Sequence, residues 1–193
     1  MEGLNLKQIK GCYLKWDSLT TNNYRSTGWT DKKTQNRLFK CASKLFKNKK
    51  GTNTLLDIGA GLGGFYIWLC KNGYSINYHG IDIIEEFADR CRAQGINVLC
   101  KNADQITRDY DYSVAIGTFH YMTFDCTNPY AVIARLVKRI MKHTRQSFFF
   151  TLVRHGFGEY HTWTLHQIDS LLKPYTDTNI DITDNEYLIT INK

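Results

Sequence analysis

Two carboxylates and a run of glycines are the residues of this chain best suited to chemistry. Asp57 closes the apolar pair Leu55-Leu56 and stands two residues before the first of three alternate glycines, Gly59, Gly61 and Gly63. Asp82 closes a second apolar stretch, about 20 residues further on. A glycine turn between strand and helix lets a ligand lie against bare backbone, and the helix behind it offers unpaired N–H groups. Gly59, Gly61 and Gly64 also satisfy the dinucleotide fingerprint GxGxxG. The acids narrow the choice. A carboxylate at Asp57 would repel a pyrophosphate but attract the sulfonium and ammonium groups of a nucleoside such as S-adenosylmethionine. Asp82 is placed to accept hydrogen bonds from both hydroxyls of a ribose.

A second group of residues lies in the segment GTFHYM, 117–122. If the ligand is such a sulfonium, transfer of its methyl group would be an in-line displacement with an activated leaving group, and alignment would matter more than strong acid–base chemistry. His120 is the candidate base or orienting hydrogen bonder, because imidazole titrates near neutral pH. The alternative for His120 is a helix cap or a piece of pocket wall. Tyr121 and Phe119 are expected to line the acceptor side.

These residues need elements to place them. The pattern predicts strands at Thr54–Asp57, Ile76–Asp82, Asn97–Lys101, Tyr112–Gly117 and Ser147–Val153. Helices are predicted between them at Gly64–Asn72, Glu85–Gln94 and Pro129–His143. Asn48–Asn53 reads as a polar break. A helix at Thr164–Lys173 and a hairpin around Asp184-Asn185 close the chain. Alternating strand and helix implies a mostly parallel, doubly wound sheet. In such a sheet ligands sit at the carboxyl ends of the strands, where strand order reverses. Asp57, Asp82, Asp104 and the 117–121 segment then share one rim.

The first 50 residues differ from the rest. They hold 12 Lys or Arg against three acids, whereas residues 51–193 carry 13 basic and 15 acidic residues. All of the net charge of +7 therefore precedes the glycine turn. Residues 1–50 read as a basic helical extension, a lid over a domain at 51–193, with Asp31 capping a helix to about Phe46. A second basic run, Arg135, Lys138, Arg139, Lys142 and Arg145, falls on a predicted helix. Such charge either solubilises a surface or marks an anionic partner such as RNA. Trp16, Tyr24 and Trp29 lie within the first run and either stack on a ligand or pack.

The six cysteines form no CxxC pair and the six histidines no metal motif, so free thiols and no metal site are expected. No stretch approaches the ~20 apolar residues of a membrane span, and the first residues lack a secretory signal. A cytoplasmic protein is the simplest reading.

LLDIGAGLGGF, HGIDI and KNADQI together resemble the successive cofactor motifs of the class I S-adenosylmethionine-dependent methyltransferases, from about Leu55 to the C-terminus. The resemblance implies a Rossmann-like seven-stranded sheet in the order 3-2-1-4-5-7-6 with the last strand antiparallel. It implies S-adenosylmethionine held by Asp57, Gly59, Gly61, Gly63, Asp82, Ile83, Ala103, Asp104 and Gly117, with Asp104 near the adenine amino group. GW (28–29) with Gln35 and Arg37 extends the likeness to small single-domain bacterial methyltransferases, and Trp29 joins the site on that basis. His120 and Tyr121 would meet an N or O acceptor on a small molecule or an RNA. No Asn/Asp-Pro-Pro-aromatic motif follows the fourth strand, no Pro-Cys pair is present, and no acid ends that strand. The patterns of exocyclic-amine, cytosine-carbon and ribose methylases are therefore missing, whereas HY-x-T-F (120–124) is similar to messenger-RNA cap guanine methyltransferases. Two other classes stay open at this point. One is a cofactor-loaded scaffold or activating subunit without turnover. The other is an NAD-dependent oxidoreductase, favoured by GxGxxG and disfavoured by Asp57.

Overall fold

The computed structural model describes residues 6–20, 23–46, 50–122, 128–156 and 160–193. Helices α1 (Leu6–Ser18), α2 (Asn23–Ser26) and α3 (Lys32–Ala42) come first. The alternating part follows: β1 (Lys50–Ile58), α4 (Gly64–Lys71), β2 (Ser75–Asp82), α5 (Glu85–Ala93), β3 (Val98–Cys100), β4 (Tyr110–Ala115), α6 (Thr118–Met122), α7 (Pro129–Lys142), β5 (Thr144–Val153) and α8 (Leu165–Leu172). The hairpin β6 (Asp177–Ile182) and β7 (Glu186–Asn192) ends the chain. The strands form one sheet in the order β3-β2-β1-β4-β5-β7-β6. β1 pairs in parallel with β2 and β4, and β7 runs antiparallel between β5 and β6. This is the expected fold class.

Period-two alternation builds three layers around the sheet. Leu55 on β1 faces a core shared with Phe39, Phe65 and Cys91 of α3, α4 and α5. Its neighbours Leu56 and Ile58 face the opposite core, with Leu136 and Ile140 of α7 and Ile168 of α8. Phe148 and Phe150 face the α7 side and Phe149 the other, so β5 is buried on both faces as a continuous apolar run requires. α7 starts at Asn128, whose side chain accepts the Ala131 N–H, with Pro129 in its first turn. α3 starts at Asp31, as expected, and Asp31 accepts the Thr34 N–H. No described helix is long and apolar enough to cross a membrane.

The boundaries move for local reasons. β1 begins at Lys50, inside the expected polar break, because Lys50 pairs with Ser75 across a register shift. β4 starts earlier, with Tyr110 opposite Thr144, and ends at Ala115; Gly117 takes a φ of 75° and leaves the ladder. α3 stops at Ala42 rather than Phe46 and tightens into a 3-10 turn at Ser43–Leu45, where the Ser43 hydroxyl donates to the Lys40 carbonyl.

Candidate active site

β1 and β4 lie side by side while their outer neighbours lead in opposite directions, which opens a crevice at their carboxyl ends. A cavity of about 320 Å³ occupies it. The floor is the turn after β1. The Gly59 and Ala60 N–H groups both donate to the Ile81 carbonyl of β2. Gly59 has a φ of 72°, and a Cβ there would fall 2.4 Å from Thr118 Oγ1, which itself donates to the Ile58 carbonyl. Only glycine fits that crossing.

Both expected acids face this cavity. Asp57 is 3% exposed, and its Oδ2 accepts the Tyr78 hydroxyl at 2.6 Å. Burial pushes its carboxyl up to about 7; the Tyr78 bond opposes that rise and nearby Asp82 adds to it. Asp82 is 7% exposed. Its Oδ2 accepts the Gly61 N–H at 2.7 Å and its Oδ1 the Ile84 N–H at 2.9 Å. Burial raises this acid too, against the pull of those backbone donors. Two buried acids held toward their neutral forms fit a cationic ligand, whose charge would offset the cost of ionising them.

The other walls come from scattered elements. Ile83 follows Asp82, and Ala103 with Asn102 follows β3. Trp29 stands over Gly117, with its ring 3.1 Å from where a Gly117 Cβ would lie. Tyr13 of α1, Tyr24 of α2 and Gln35 of α3 close the top. Lys32 Nζ donates to Gln35 Oε1 at 2.8 Å, and both Arg25 and Lys32 lie 5.9 Å from the centre of the Tyr24 ring.

Residues 56–144, the part that forms most of this crevice, match the family described as "Methyltransferase domain". These residues carry a methyltransferase domain. Solved structures agree on the fold. Magnesium protoporphyrin IX methyltransferase from Synechocystis, with bound S-adenosylmethionine, superposes with a TM-score of 0.69 at 13% identity, over 100% of this chain and 99% of that one. The 1,6-didemethyltoxoflavin-N1-methyltransferase of Burkholderia thailandensis gives 0.63 at 13% identity, over 96% and 89%. An S-adenosylmethionine-dependent methyltransferase from Clostridium acetobutylicum gives 0.60 at 14%, over 94% and 100%. No curated protein sequence matches the chain.

Within the methyltransferase domain two expected cofactor residues stand away from the cavity. Asp104 turns outward, and its Oδ1 accepts Arg135 Nη1 at 2.6 Å. Arg139 donates to the Asp104 and Ile106 carbonyls, and Arg145 pairs with Asp111 at 3.7 Å. Much of the second basic run thus ties α7 and β5 to neighbouring segments. Gly63 caps α4 outside the cavity, where a Cβ would press on Ile96 at 2.8 Å. Its small size serves packing between α4 and the segment leading to β3.

In the segment expected to meet an acceptor, His120 lines the cavity. Its Nε2 lies 3.2 Å from Thr151 Oγ1, and that oxygen accepts the Gly117 N–H at 2.9 Å. Burial lowers the imidazole to about 4, so His120 is neutral at pH 7 and does not titrate there as the sequence suggested. Tyr121 belongs to α6, but its side chain lies outside the described residues. Phe119 is buried against Phe150, in the core rather than in the cavity. The sequence reading missed Tyr13, Tyr160 and Glu186. Glu186 was within reach of it, since in the alternating tail it shares a face with Leu188, an inward position.

Proposed function

We propose that this protein transfers a methyl group from S-adenosylmethionine to a nitrogen or oxygen acceptor on a small molecule or an RNA. The single observation that carries this reading is the pair of buried acids, Asp57 and Asp82, facing one cavity across a glycine turn. Asp82 would hold the ribose hydroxyls with the lone pairs left after Gly61 and Ile84, and Asp57 would hold the cationic methionine end. Ile83, Ala103, Gly59, Gly61, Gly117 and Trp29 would shape the remaining contacts. When bound, S-adenosylmethionine supplies an electrophilic methyl group on a neutral-leaving sulfur. The chain's own part is to exclude water and to align the acceptor beside His120, whose neutral ring is free of charge repulsion with a sulfonium.

Residues 1–50 would form a basic cover. Tyr24, with Arg25 and Lys32 near its ring, supports an anionic acceptor there. The calorimetric test is a titration with S-adenosylmethionine, in which an intact fold that takes up no ligand would defeat the reading. Transfer of labelled methyl onto a fractionated lysate, with and without nuclease, then separates RNA from small acceptors. Binding without transfer to any fraction would leave a cofactor-loaded scaffold.

A further inference from the structure

β1 and β2 pair so that Leu55 lies opposite Tyr78 and Asp57 opposite Gly80. Leu55 and Tyr78 face the core shared with α3, α4 and α5. Asp57 and Gly80, two residues further along each strand, share that face. Gly80 leaves a gap between tyrosine and acid. A Cβ there would fall 2.8 Å from Val98, 2.9 Å from Ala60 and 3.2 Å from the Tyr78 hydroxyl. The phenol crosses that gap along the strand and ends on Asp57 Oδ2 at 2.6 Å. Tyr78 is 5% exposed, with its ring centre 4.9 Å from that of Tyr66 on α4. Phenylalanine would fill nearly the same volume without burying a hydroxyl beside an acid. The hydroxyl therefore points to work done on Asp57.

We propose that Tyr78 is the positioning residue of Asp57: its hydroxyl ties down Oδ2, leaves Oδ1 to the ligand and favours the charged carboxylate that a cation needs. This rests on the methyl-transfer reading above. Oδ1 accepts from no described residue, and Asp57 lines the cavity. A hydrogen bond donated to the ionised form of an acid favours that form, and it counts for more in a low-dielectric crevice than in water.

The surroundings leave that task to Tyr78. Burial above all, and then Asp82 of β2, oppose ionisation of Asp57, and Tyr78 is the described residue that favours it. On the other side of β1, the residue opposite Asp57 is the apolar Val114 of β4. Burial first and Asp57 next hold the Tyr78 hydroxyl well above its ordinary pKa, and Cys91 of α5 and Asp82 add to that. The hydroxyl thus keeps its proton and remains a donor while Asp57 titrates.

Carbon-13 NMR of the full chain, without ligand, follows the Asp57 carboxyl through its titration. The wild-type midpoint is expected at about 7. In Tyr78→Phe it should lie about one pH unit higher. Calorimetry with S-adenosylmethionine reads the consequence. Y78F should bind about fivefold more weakly than the wild type at pH 7 and within about twofold of it at pH 9, the ratios that such a change in ionisation produces. A merely structural contact would weaken binding equally at both. A folded Y78F protein with the wild-type carboxyl midpoint overturns the assignment, and so does a loss of affinity that is the same at pH 7 and pH 9. If Y78F does not fold, the wild type decides: the Tyr78 hydroxyl proton should shift in proton NMR as Asp57 titrates, and a signal indifferent to that titration overturns the assignment. No binding of S-adenosylmethionine by the wild type at either pH defeats the cofactor reading, and the carboxyl titration still decides the role of Tyr78.

Discussion

Asp82 reaches back from the end of β2 and takes the Gly61 N–H at 2.7 Å, so the acid expected to meet a ribose is also the clasp of the glycine turn. One carboxylate sets both the shape of the floor and its charge. Asp82→Asn turns part of that acceptor into a donor aimed at a donor. Leaving one buried N–H unpaired costs about 1–3 kcal/mol. Expected results are a drop in Tm and at least a tenfold loss of S-adenosylmethionine affinity, read by thermal denaturation and calorimetry.

Asp57 should make binding depend on pH. Its carboxyl is pushed up to about 7, so below that pH it is neutral and attracts a sulfonium less. Affinity for S-adenosylmethionine should rise from pH 6 to 8 and then level off. Asp57→Asn should flatten that profile. S-adenosylhomocysteine, whose sulfur is uncharged, should show a shallower rise in the wild type. Titrations across this range check both.

Glu186 should cost stability at high pH. Its carboxyl is raised from 4.5 to about 7, so between those values the folded chain keeps a proton that the unfolded chain has lost. Stability therefore falls as pH rises through that window and stays low above it. Glu186→Gln removes a penalty of up to about 3 kcal/mol at pH 8 and nothing at pH 4. The variant should melt several degrees higher than the wild type at pH 8 and level with it at pH 4.

Gly59 admits no side chain. Alanine there meets Thr118 Oγ1 at 2.4 Å and must hold a φ of 72°. Gly59→Ala should lower Tm and abolish cofactor binding. Adding Thr118→Ala removes the collision but keeps the left-handed strain of about 1–2 kcal/mol, so the double variant should recover only part of the stability.

Asp104 offers the opposite outcome. Its partner is Arg135 on a partly exposed surface, so Asp104→Ala should change stability by less than about 1 kcal/mol. S-adenosylmethionine affinity should stay within about twofold of wild type, a free-energy change of roughly 0.4 kcal/mol. A tenfold loss would return Asp104 to the cofactor.

The legible parts of the fold were those written in period and punctuation. Leu55-Leu56-Asp57 followed by glycines marks β1 and its turn, Phe148 to Phe150 marks a strand covered on both sides, and Asn128-Pro129 marks the start of α7. Hidden parts depended on partners distant in sequence. Lys50 joins β1 only because Ser75 lies opposite, and nothing near Lys50 announces it. Asp104 has the type and place of a ligand residue, but Arg135, 31 positions on, decides where it points. His120 was found from its segment, while its ionisation is set by burial that no local pattern records. Glu186 lies 66 positions from His120, and only the antiparallel insertion of β7 beside β5 brings the two together.

α3 carries two duties on one rod. Leu38, Phe39 and Ala42 are sunk into the sheet's core, while Lys32 and Gln35, a turn or two earlier, look into the cavity. A helix anchored in this way cannot swing aside without tearing the hydrophobic interior. A cover over this cavity that opened would have to bend ahead of α3, near Asp31, and not at the junction near residue 50.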